Sequence, residues 1–307
     1  IYEKTSVDEF YIDLSGMDQF FGCFQMASEL RDKIIDETGL PISFGLSQNK
    51  TVSKIATGEA KPNNKKNIKK GDEIPFLAPL SVKKIPMVGD KTYRELCNLG
   101  VKKIKTLQEM PMDIMHRVFG KNGISMWKKA QGIDNSPVVQ HTERKSISTE
   151  RTFDKDTIDV QKLEGIMIAM AENLIFQLRR GNKLTSCITV KIRYTDFQTY
   201  TLQKKIPYCA VDHTLIPIVM ELFRKLYNRR VLVRLIGIKF SGLVEGAHQI
   251  NLFEDTQMLQ LYTAMDKMRE RYGDRAVVRA SGMDAKSISR WNPFNGEPPP
   301  LLANRRR

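Results

Sequence analysis

Two adjacent acidic residues near the start of the chain, Asp8 and Glu9, have the type and spacing that could do chemistry. Phe10, Ile12 and Leu14 follow in alternation with more polar residues, a pattern typical of a half-buried β-strand. Carboxylates crowded at a strand end are costly unless a cation neutralises them, and Mg²⁺ prefers such oxygen ligands. Two such ions can activate an attacking hydroxyl and stabilise a leaving phosphate, so the pair predicts metal-assisted phosphate chemistry.

The simpler interpretation is that Asp8 and Glu9 are solvated residues at the end of a hairpin. A regular strand would point the two side chains to opposite faces, so a shared metal site requires a bend in the chain. A short acidic motif is weak evidence by itself, and the other elements of the chain must decide between these alternatives.

The net charge of the chain indicates an anionic partner. Its 307 residues are enough for two or three domains. A formal net charge of +14 favours nucleic acid as that partner, with a membrane surface second. Because no apolar run reaches the roughly 18 residues that span a bilayer, we expect no membrane partner. We also expect a cytoplasmic protein and a monomer.

The cysteines and histidines predict no metal or redox site. Cys23, Cys97, Cys187 and Cys209 form no CxxC pair, and the four histidines are widely spaced. We therefore expect free, buried thiols in a reducing compartment, and the carboxylates remain the one candidate metal site.

The first region, residues 1–76, is predicted to be an α/β layer. Apolar residues at helical spacing predict a helix that begins near Phe20 and ends at Gly39. A short strand at 42–47 and a helix at 49–60 follow. The helices would pack on a sheet that begins at the carboxylates.

Lysines follow along and after the second of these helices. Lys54 and Lys61 are suited to the helix macrodipole near a helix end, which is the simpler explanation. The alternative is that they bind the phosphates of a triphosphate as point charges.

The second region, residues 77–140, is predicted to consist of helices separated by glycines. Residues 85–92 resemble a helix-hairpin-helix, in which backbone N–H groups and a helix N-terminus hold one DNA phosphate. Gly89, Lys91 and Thr92 would form that contact. Met87 stands where such hairpins usually have glycine, so an ordinary pair of helices remains an alternative.

The third region begins with a polar, basic linker at 141–151 and continues as a domain at 144–243. Its pattern predicts the order β-α-β-β-α-β, the split βαβ or ferredoxin-like plan. The predicted elements, in chain order, are 145–153, 163–178, 186–195, 199–206, 212–226 and 231–240.

One strand of this domain is predicted to have an apolar and a cationic face. Ile188, Val190, Ile192 and Tyr194 would meet the helices, and Thr189, Lys191 and Arg193 would form the open face. The net charge of the chain favours contact of this open face with a phosphate backbone. A solvated sheet face is the alternative.

The last region, residues 244–307, begins with a short apolar peptide at 249–253. A predicted helix follows, with five apolar residues on one side, and the proline-rich and arginine-rich end is expected to be disordered. The apolar residues of the helix are Met258, Leu261, Tyr262, Met265 and Met268.

Together these features resemble the Y-family DNA polymerases of the DinB or DNA polymerase IV type. The resemblance covers residues 2–253, and it depends on the order of several motifs, each of which is weak alone. The motifs lie at 6–9 with 11–13, at 44–47 leading to 54–56 and 60–63, near Gly89, at 119–120 with 132–134, and at 144–148.

The resemblance implies an α+β multidomain fold, with a partial palm, a helical thumb and a little finger. It implies that Asp8 and Glu9 bind two Mg²⁺ ions, with Glu9 nearer the primer 3′-hydroxyl, and that Lys61 and Lys54 face the incoming triphosphate. It implies a peptide that docks on a sliding clamp, formed by Gln249, Leu252 and Phe253. Primer–template DNA would contact Gly89, Lys91, Thr92, Arg144, Lys145, Ser146, Ser148, Lys191 and Arg193.

Two departures from the family pattern bear on activity. Family members begin with a strand that carries another metal-binding Asp and with a fingers subdomain, and this chain starts after both. We therefore expect a fragment of a lesion-bypass polymerase that binds primer–template DNA without extending it. The clamp peptide precedes a further helix, so the alternative for this peptide is a buried strand end. The alternative for the whole chain is a non-catalytic DNA-binding or clamp-recruiting module.

Overall fold

The computed structural model describes residues 1–6, 8–17, 22–140, 143–246, 256–273 and 276–283. The chain is a mixed α and β protein that divides into two compact units, residues 1–142 and 143–307. The predicted finer boundaries, at 76/77 and at 243/244, remain predictions.

The first unit combines short strands with helices of moderate length. Its strands pair as two separate two-stranded sheets, antiparallel for β1–β2 and parallel for β3–β4. Its elements are β1 Tyr2–Lys4, β2 Phe10–Ile12, α1 Cys23–Thr38, β3 Phe44–Leu46, α2 Lys50–Ala60, β4 Lys65–Asn67, α3 Glu73–Leu77, α4 Asp90–Asn98, α5 Ile104–Glu109 and α6 Met112–Ala130, with a 3₁₀ turn at Val82–Lys84.

The β1–β2 hairpin corrects two expectations from the sequence. Strand β2 begins after Glu9, so no sheet begins at the carboxylates. Phe10 and Ile12 are 51% and 38% exposed, whereas Tyr11 between them is half-buried. The alternation of apolar and polar residues was therefore real, but it is the polar face of the hairpin that is covered.

Strand β3 and helix α2 approach each other at a glycine. A Cβ atom on Gly45 would lie 2.6 Å from the backbone carbonyl oxygen of Ser53 and 2.6 Å from the Ala56 Cβ. Helix α2 begins at the N-cap Asn49, whose side chain accepts a hydrogen bond from the Val52 N–H. The glycine thus brings the β3 backbone into direct contact with α2.

One hydrophobic core crosses the predicted boundary at 76/77. Val52 and Ile55 from α2 belong to the same buried cluster as Leu77, Leu96 and Met115 from the helices that follow. The helical part of the first unit therefore packs directly on the α/β part.

The second unit is built on an antiparallel sheet with strand order β5-β8-β6-β7, and β9 pairs with the start of β6. Its elements follow the predicted order β-α-β-β-α-β, with β9 and α9 added at the C-terminal side. They are β5 Ser146–Thr157, α7 Val160–Arg180, β6 Lys183–Tyr194, β7 Thr199–Cys209, α8 Asp212–Leu226, β8 Val233–Ser241, β9 Val244–Glu245 and α9 Thr256–Tyr272, with a 3₁₀ turn at Ala280–Gly282. Counted along the chain, the strand order in space is 1-4-2-3, whereas a ferredoxin-like sheet has the order 4-1-3-2, which corrects that part of the prediction.

Helices α7 and α8 cover one face of this sheet. Ile188, Val190, Ile192 and Tyr194 of β6 are fully buried in the core with the apolar residues of both helices, as the sequence predicts. The other face of the sheet is polar and is described below.

Helix α9 packs against this core through part of its predicted apolar side. Tyr262 is 1% exposed, and its hydroxyl lies 3.1 Å from Nδ1 of His213 on α8. Asp266 accepts two hydrogen bonds from Arg179 of α7, at 2.6 and 2.8 Å. Leu261 and Met268 are exposed, which corrects the prediction that five apolar residues share the buried side.

Two further expectations can be compared with the structure. None of the four cysteines forms a disulfide, but only Cys209 is buried, so the expectation of buried thiols is wrong for the other three. Among the described residues, no helix has the length and apolarity that crossing a membrane requires. The end of the chain, 284–307, lies outside the described residues.

Substitution of Gly45 by alanine should destabilise the first unit. The new methyl group would meet the Ser53 carbonyl oxygen and the Thr57 nitrogen of α2 at 2.6 Å, and overpacking against backbone costs about 1–3 kcal/mol. Chemical denaturation followed by circular dichroism measures the change.

Gly58→Ala in the same helix is the matched control. Gly58 is exposed and a Cβ atom there meets nothing within 4 Å, so alanine should stabilise by about 1 kcal/mol through helix propensity. Equal effects of the two substitutions would contradict the close approach of β3 to α2.

Candidate active site and nucleic-acid interface

Asp8 and Glu9 lie in the turn that connects β1 and β2. The backbone N–H groups of Thr5 and Ser6 donate to the Glu9 carbonyl oxygen at 3.0 and 3.2 Å. The Ser6 hydroxyl donates to Asp8 Oδ1 at 2.6 Å and accepts from the Glu9 N–H at 3.1 Å. These contacts fix the turn locally, and both acidic side chains are exposed.

Two lysines of α2 tie the hairpin to that helix. Lys50 forms an ion pair with Glu3 on β1 and also lies over the Tyr11 ring, 5.5 Å from its centroid. Lys54, one helical turn later, donates to Glu9 Oε2 at 2.5 Å. Because residues four apart lie on one face of a helix, α2 presents both cations to the same face of the hairpin.

The electrostatics of the turn favour ionised groups. The pKa of Asp8 is lowered by the Ser6 hydroxyl, then by its own backbone N–H, with smaller contributions from the charges of Lys61 and Lys54. The hydrogen bond to Glu9 raises the pKa of Lys54. Asp8 therefore remains a carboxylate, and Lys54 a cation, at any physiological pH.

Lys61 lies at the C-terminal end of α2, where it is the C-cap residue in extended conformation. Its charge makes a small contribution to the lowered pKa of Asp8, whereas Lys54 contacts Glu9 directly. The sequence predicts all four residues for one site.

Asp134 is a residue of this region that the sequence analysis quoted but gave no role. Its Oδ2 accepts from both the backbone N–H and the hydroxyl of Thr51, at 3.2 and 2.7 Å, and its Oδ1 accepts from Ser136. Burial raises the pKa of Asp134, but the hydrogen bonds from Ser136 and Thr51 outweigh it, so the pKa is lowered overall. Asp134 thus satisfies a free N–H in the first turn of α2.

The predicted phosphate-binding hairpin has Met87 in an unusual conformation. Met87 has a φ of 78° and is 86% exposed, so it adopts the left-handed conformation that glycine usually supplies. Gly89 is the N-cap of α4, and a Cβ atom there would meet nothing within 4 Å. Lys91 and Thr92 lie in the first turn of that helix, whose N-terminus is open on this side.

Two adjoining clefts, together called the groove below, lie between the carboxylate turn and this hairpin within the first unit. One cleft of 440 Å³ is lined by Glu9, Lys54 and Asp134, and a second of 340 Å³ by Lys91 and Thr92. Both clefts share a wall made of Pro86, Met87 and Lys129.

Lys129 is a second residue that the sequence analysis missed. Its ammonium group donates to the Pro86 carbonyl oxygen at 3.2 Å, which places a cation in the middle of the groove. The sequence signal was the pair Lys128 and Lys129 near the end of α6, which by spacing alone is indistinguishable from charges that suit the helix dipole.

The donor chemistry of the turn fits a hard divalent cation. Asp8 and Glu9 provide two exposed carboxylates, and Mg²⁺ is commonly bound by one or two carboxylates together with substrate phosphates and water. Within the part of the chain that the structure describes, no group of three or more His, Cys, Asp or Glu side chains forms a complete cage. The residues therefore fit an ion that shares its ligands with a phosphate substrate.

The open face of the sheet in the second unit is polar and predominantly cationic. The pairing of the strands places Ser146 and Ser148 of β5 on the same face as Lys191 and Arg193 of β6. Arg193 Nε donates to the Thr199 hydroxyl at 2.8 Å. The same face carries Lys239 of β8, Lys205, Gln203 and Thr201 of β7, and Thr189 of β6.

The remaining candidates have less defined surroundings. Arg144 and Lys145 precede β5, half-buried and exposed respectively. Gln249, Leu252 and Phe253, the predicted clamp peptide, lie outside the described residues.

Comparisons with protein families match both units. The model of the impB/mucB/samB family matches residues 1–58, and the model of the C-terminal domain of the same family matches residues 144–252. The two models thus cover the carboxylate turn with α2 and the sheet with its open face.

Curated relatives match most of the chain. It is 33% identical over 279 residues to a DNA polymerase IV of Dehalococcoides mccartyi, which covers 90% of this chain and 72% of that polymerase. It is 32% identical over 285 residues to the DNA polymerase IV of Clostridium acetobutylicum, covering 91% of this chain and 72% of the relative.

Solved structures show the same fold. A chimera of the Y-family polymerases Dbh and Dpo4 has a TM-score of 0.68 at 23% identity, covering 80% of this chain and 72% of the chimera. An insertion ternary complex of Dbh DNA polymerase has a TM-score of 0.53 at 22% identity, and the match covers 80% of this chain and 72% of the Dbh chain. These findings confirm the resemblance, and the chain belongs to the Y-family of DNA polymerases, in its DinB-like, DNA polymerase IV branch.

Proposed function

We propose that this protein takes part in template-directed DNA synthesis across damaged templates. The observation that carries the proposal is the groove: Glu9 of the acidic turn lines one cleft with Lys54, and Lys91 and Thr92 of the hairpin line the adjoining cleft. Primer–template DNA and a deoxynucleoside triphosphate are the substrates that such a groove suits, because it has paired carboxylates at one end and cations along its length.

We assign the regions of the chain as the family pattern suggests. Residues 1–76 correspond to part of a palm, 77–140 to a thumb with a helix-hairpin-helix, and 144–243 to a little finger with the element order β-α-β-β-α-β. The positive φ of Met87 and the open N-terminus of α4 support the hairpin assignment. The peptide at 249–253 is proposed as the contact for a sliding clamp.

Asp8 and Glu9 are the residues that would hold Mg²⁺, as two ions in the complete complex. When bound, the ions would lower the pKa of the primer 3′-hydroxyl and neutralise charge on the phosphates. The chain's own contribution is position: Ser6 holds Asp8, and Lys54 holds Glu9. Lys54 and Lys61 would bind the triphosphate by charge, because an ammonium group suits phosphate as a point charge.

The open face of the sheet is proposed to follow the phosphate backbone. Arg193 and Lys239 would neutralise phosphates, and the serine and threonine hydroxyls around them would donate hydrogen bonds to phosphate oxygens. Sequence-independent binding follows, because such contacts do not distinguish bases. Lys191 lies between Arg193 and Lys239 on the same face, where it forms an ion pair with Glu150.

Asp8→Ala and Glu9→Ala should each remove Mg²⁺-dependent function and leave DNA affinity within about twofold, because the loss of a carboxylate removes an ion ligand but no phosphate contact. The measurement is primer extension, with Mg²⁺-dependent binding of a fluorescent nucleotide to the DNA complex as a second readout. Glu37→Ala, an exposed residue of α1, is the control.

The two readouts separate the competing accounts. Extension by the unmodified chain that both variants lose would support the proposal and contradict the expectation of a catalytically incomplete chain. Nucleotide binding that depends on Asp8 and Glu9 without extension would support incompleteness. DNA binding with neither property would favour the non-catalytic, clamp-recruiting module, an alternative motivated by the net charge of +14, the hairpin and the peptide at 249–253.

Arg193→Met should weaken binding of the chain to primer–template DNA and make that binding less sensitive to salt. Loss of one phosphate contact should reduce the slope of log affinity against log salt by about 0.9. Fluorescence anisotropy at several salt concentrations provides the measurement.

Arg224→Met provides the matched control for that substitution. Arg224 pairs with Glu164 on the helical side of the sheet, at 2.8 Å. The same slope change in both variants would mean that the open face is not the DNA contact.

A further inference from the structure

In the rows where β5, β8 and β6 pair, the cationic open face contains the carboxylate of Glu150 on β5, and Asp154 lies beyond those rows in the same strand. Glu150 forms an ion pair with Lys191 on β6, although β8 lies between these two strands. The register aligns Glu150 with Gly237 of β8 and Gly237 with Lys191, so the three residues form one row across the sheet.

Gly237 is what allows this pair to form. A Cβ atom on Gly237 would lie 2.8 Å from the Glu150 Cγ, so the glutamate side chain passes directly over the glycine to reach Lys191. Gly237 is buried although it belongs to the open face, because the glutamate side chain covers it. Any larger residue in β8 at this position would separate the carboxylate from the ammonium group.

The neighbouring cations of the face have different surroundings. Arg193 is held by the neutral hydroxyl of Thr199, and in the next row Lys239 lies between Ser148 and Thr189. Lys191, in the central row, is therefore the cation of this surface whose charge a carboxylate offsets. A phosphate that approaches it also approaches Glu150, and two anions repel each other.

We propose that Glu150 sets the DNA affinity of this face by holding Lys191 in an internal ion pair. The inference rests on the proposed function, in which the face follows a phosphate backbone. The pair removes one phosphate contact from a surface that is otherwise cationic, so the complex dissociates more readily than the number of its cations suggests. Glu150 is thus an affinity-limiting residue.

Glu150→Gln in the 307-residue chain tests the inference directly. The substitution frees Lys191 and removes the repulsion, so a fluorescent primer–template should bind up to about fivefold more tightly at 0.15 M salt, the size expected for an exposed ion pair. The slope of log affinity against log salt should become steeper by about 0.9, because one more phosphate is neutralised.

Glu164→Gln controls for net charge. It also removes one negative charge and breaks an exposed ion pair, but that pair lies on the helical side of the sheet. At 0.15 M salt its effect on DNA affinity should be below about twofold, because charges beyond roughly 8 Å are screened.

The double variant Glu150→Gln with Lys191→Met completes the test. If the pair cancels itself in the unmodified chain, the double variant should bind DNA with the affinity and salt slope of that chain. A much weaker double variant would show that Lys191 already contacts DNA, and equal gains from Glu150→Gln and Glu164→Gln would show an effect of net charge; either overturns the inference. Failure of the unmodified chain to bind DNA would instead contradict the proposed function.

Discussion

The position of the acidic turn depends on ion pairs between the β1–β2 hairpin and helix α2. A hairpin with strands of three residues is marginal alone, and its apolar side is exposed. Lys50 and Lys54 hold its other side through Glu3 and Glu9. The exposed Lys54–Glu9 pair contributes only about 0–1 kcal/mol, so its main effect is to orient the turn. The Lys50–Glu3 pair is part-buried and fixes β1 against α2.

The same principle of internal pairing recurs on both proposed DNA-contacting surfaces. Glu9 with Lys54 and Glu150 with Lys191 are ion pairs within surfaces where phosphates would bind. Any cation at Glu9 competes with Lys54, and any phosphate at Lys191 competes with Glu150. Substrate binding would then replace each internal ion pair by an ion pair with the substrate. This exchange limits affinity, and the internal pairs keep the side chains ordered when no substrate is bound.

Local signals in the sequence predicted much of the fold. Helix α8 matches its predicted range, and α2 and α7 begin within three residues of their predicted first residues. These helices are predictable because their caps and apolar periodicity depend on residues within or next to each helix. The covered face of the hairpin was not predictable, since alternation does not say which side meets another element. The bond between Thr51 and Asp134 joins residues 83 apart, and no local pattern specifies such a contact. Site residues were found by motif order, whereas Lys129 has no local signal of its own.

The most direct test of the central claim is whether the turn binds a divalent cation. Mn²⁺ can replace Mg²⁺ at oxygen ligands, and its binding to the chain with primer–template DNA and nucleotide can be followed by electron paramagnetic resonance. The account predicts that Asp8→Ala and Glu9→Ala each weaken Mn²⁺ binding by at least about tenfold. Mn²⁺ binding that is unchanged in both variants would contradict it, because the ion would then be held elsewhere.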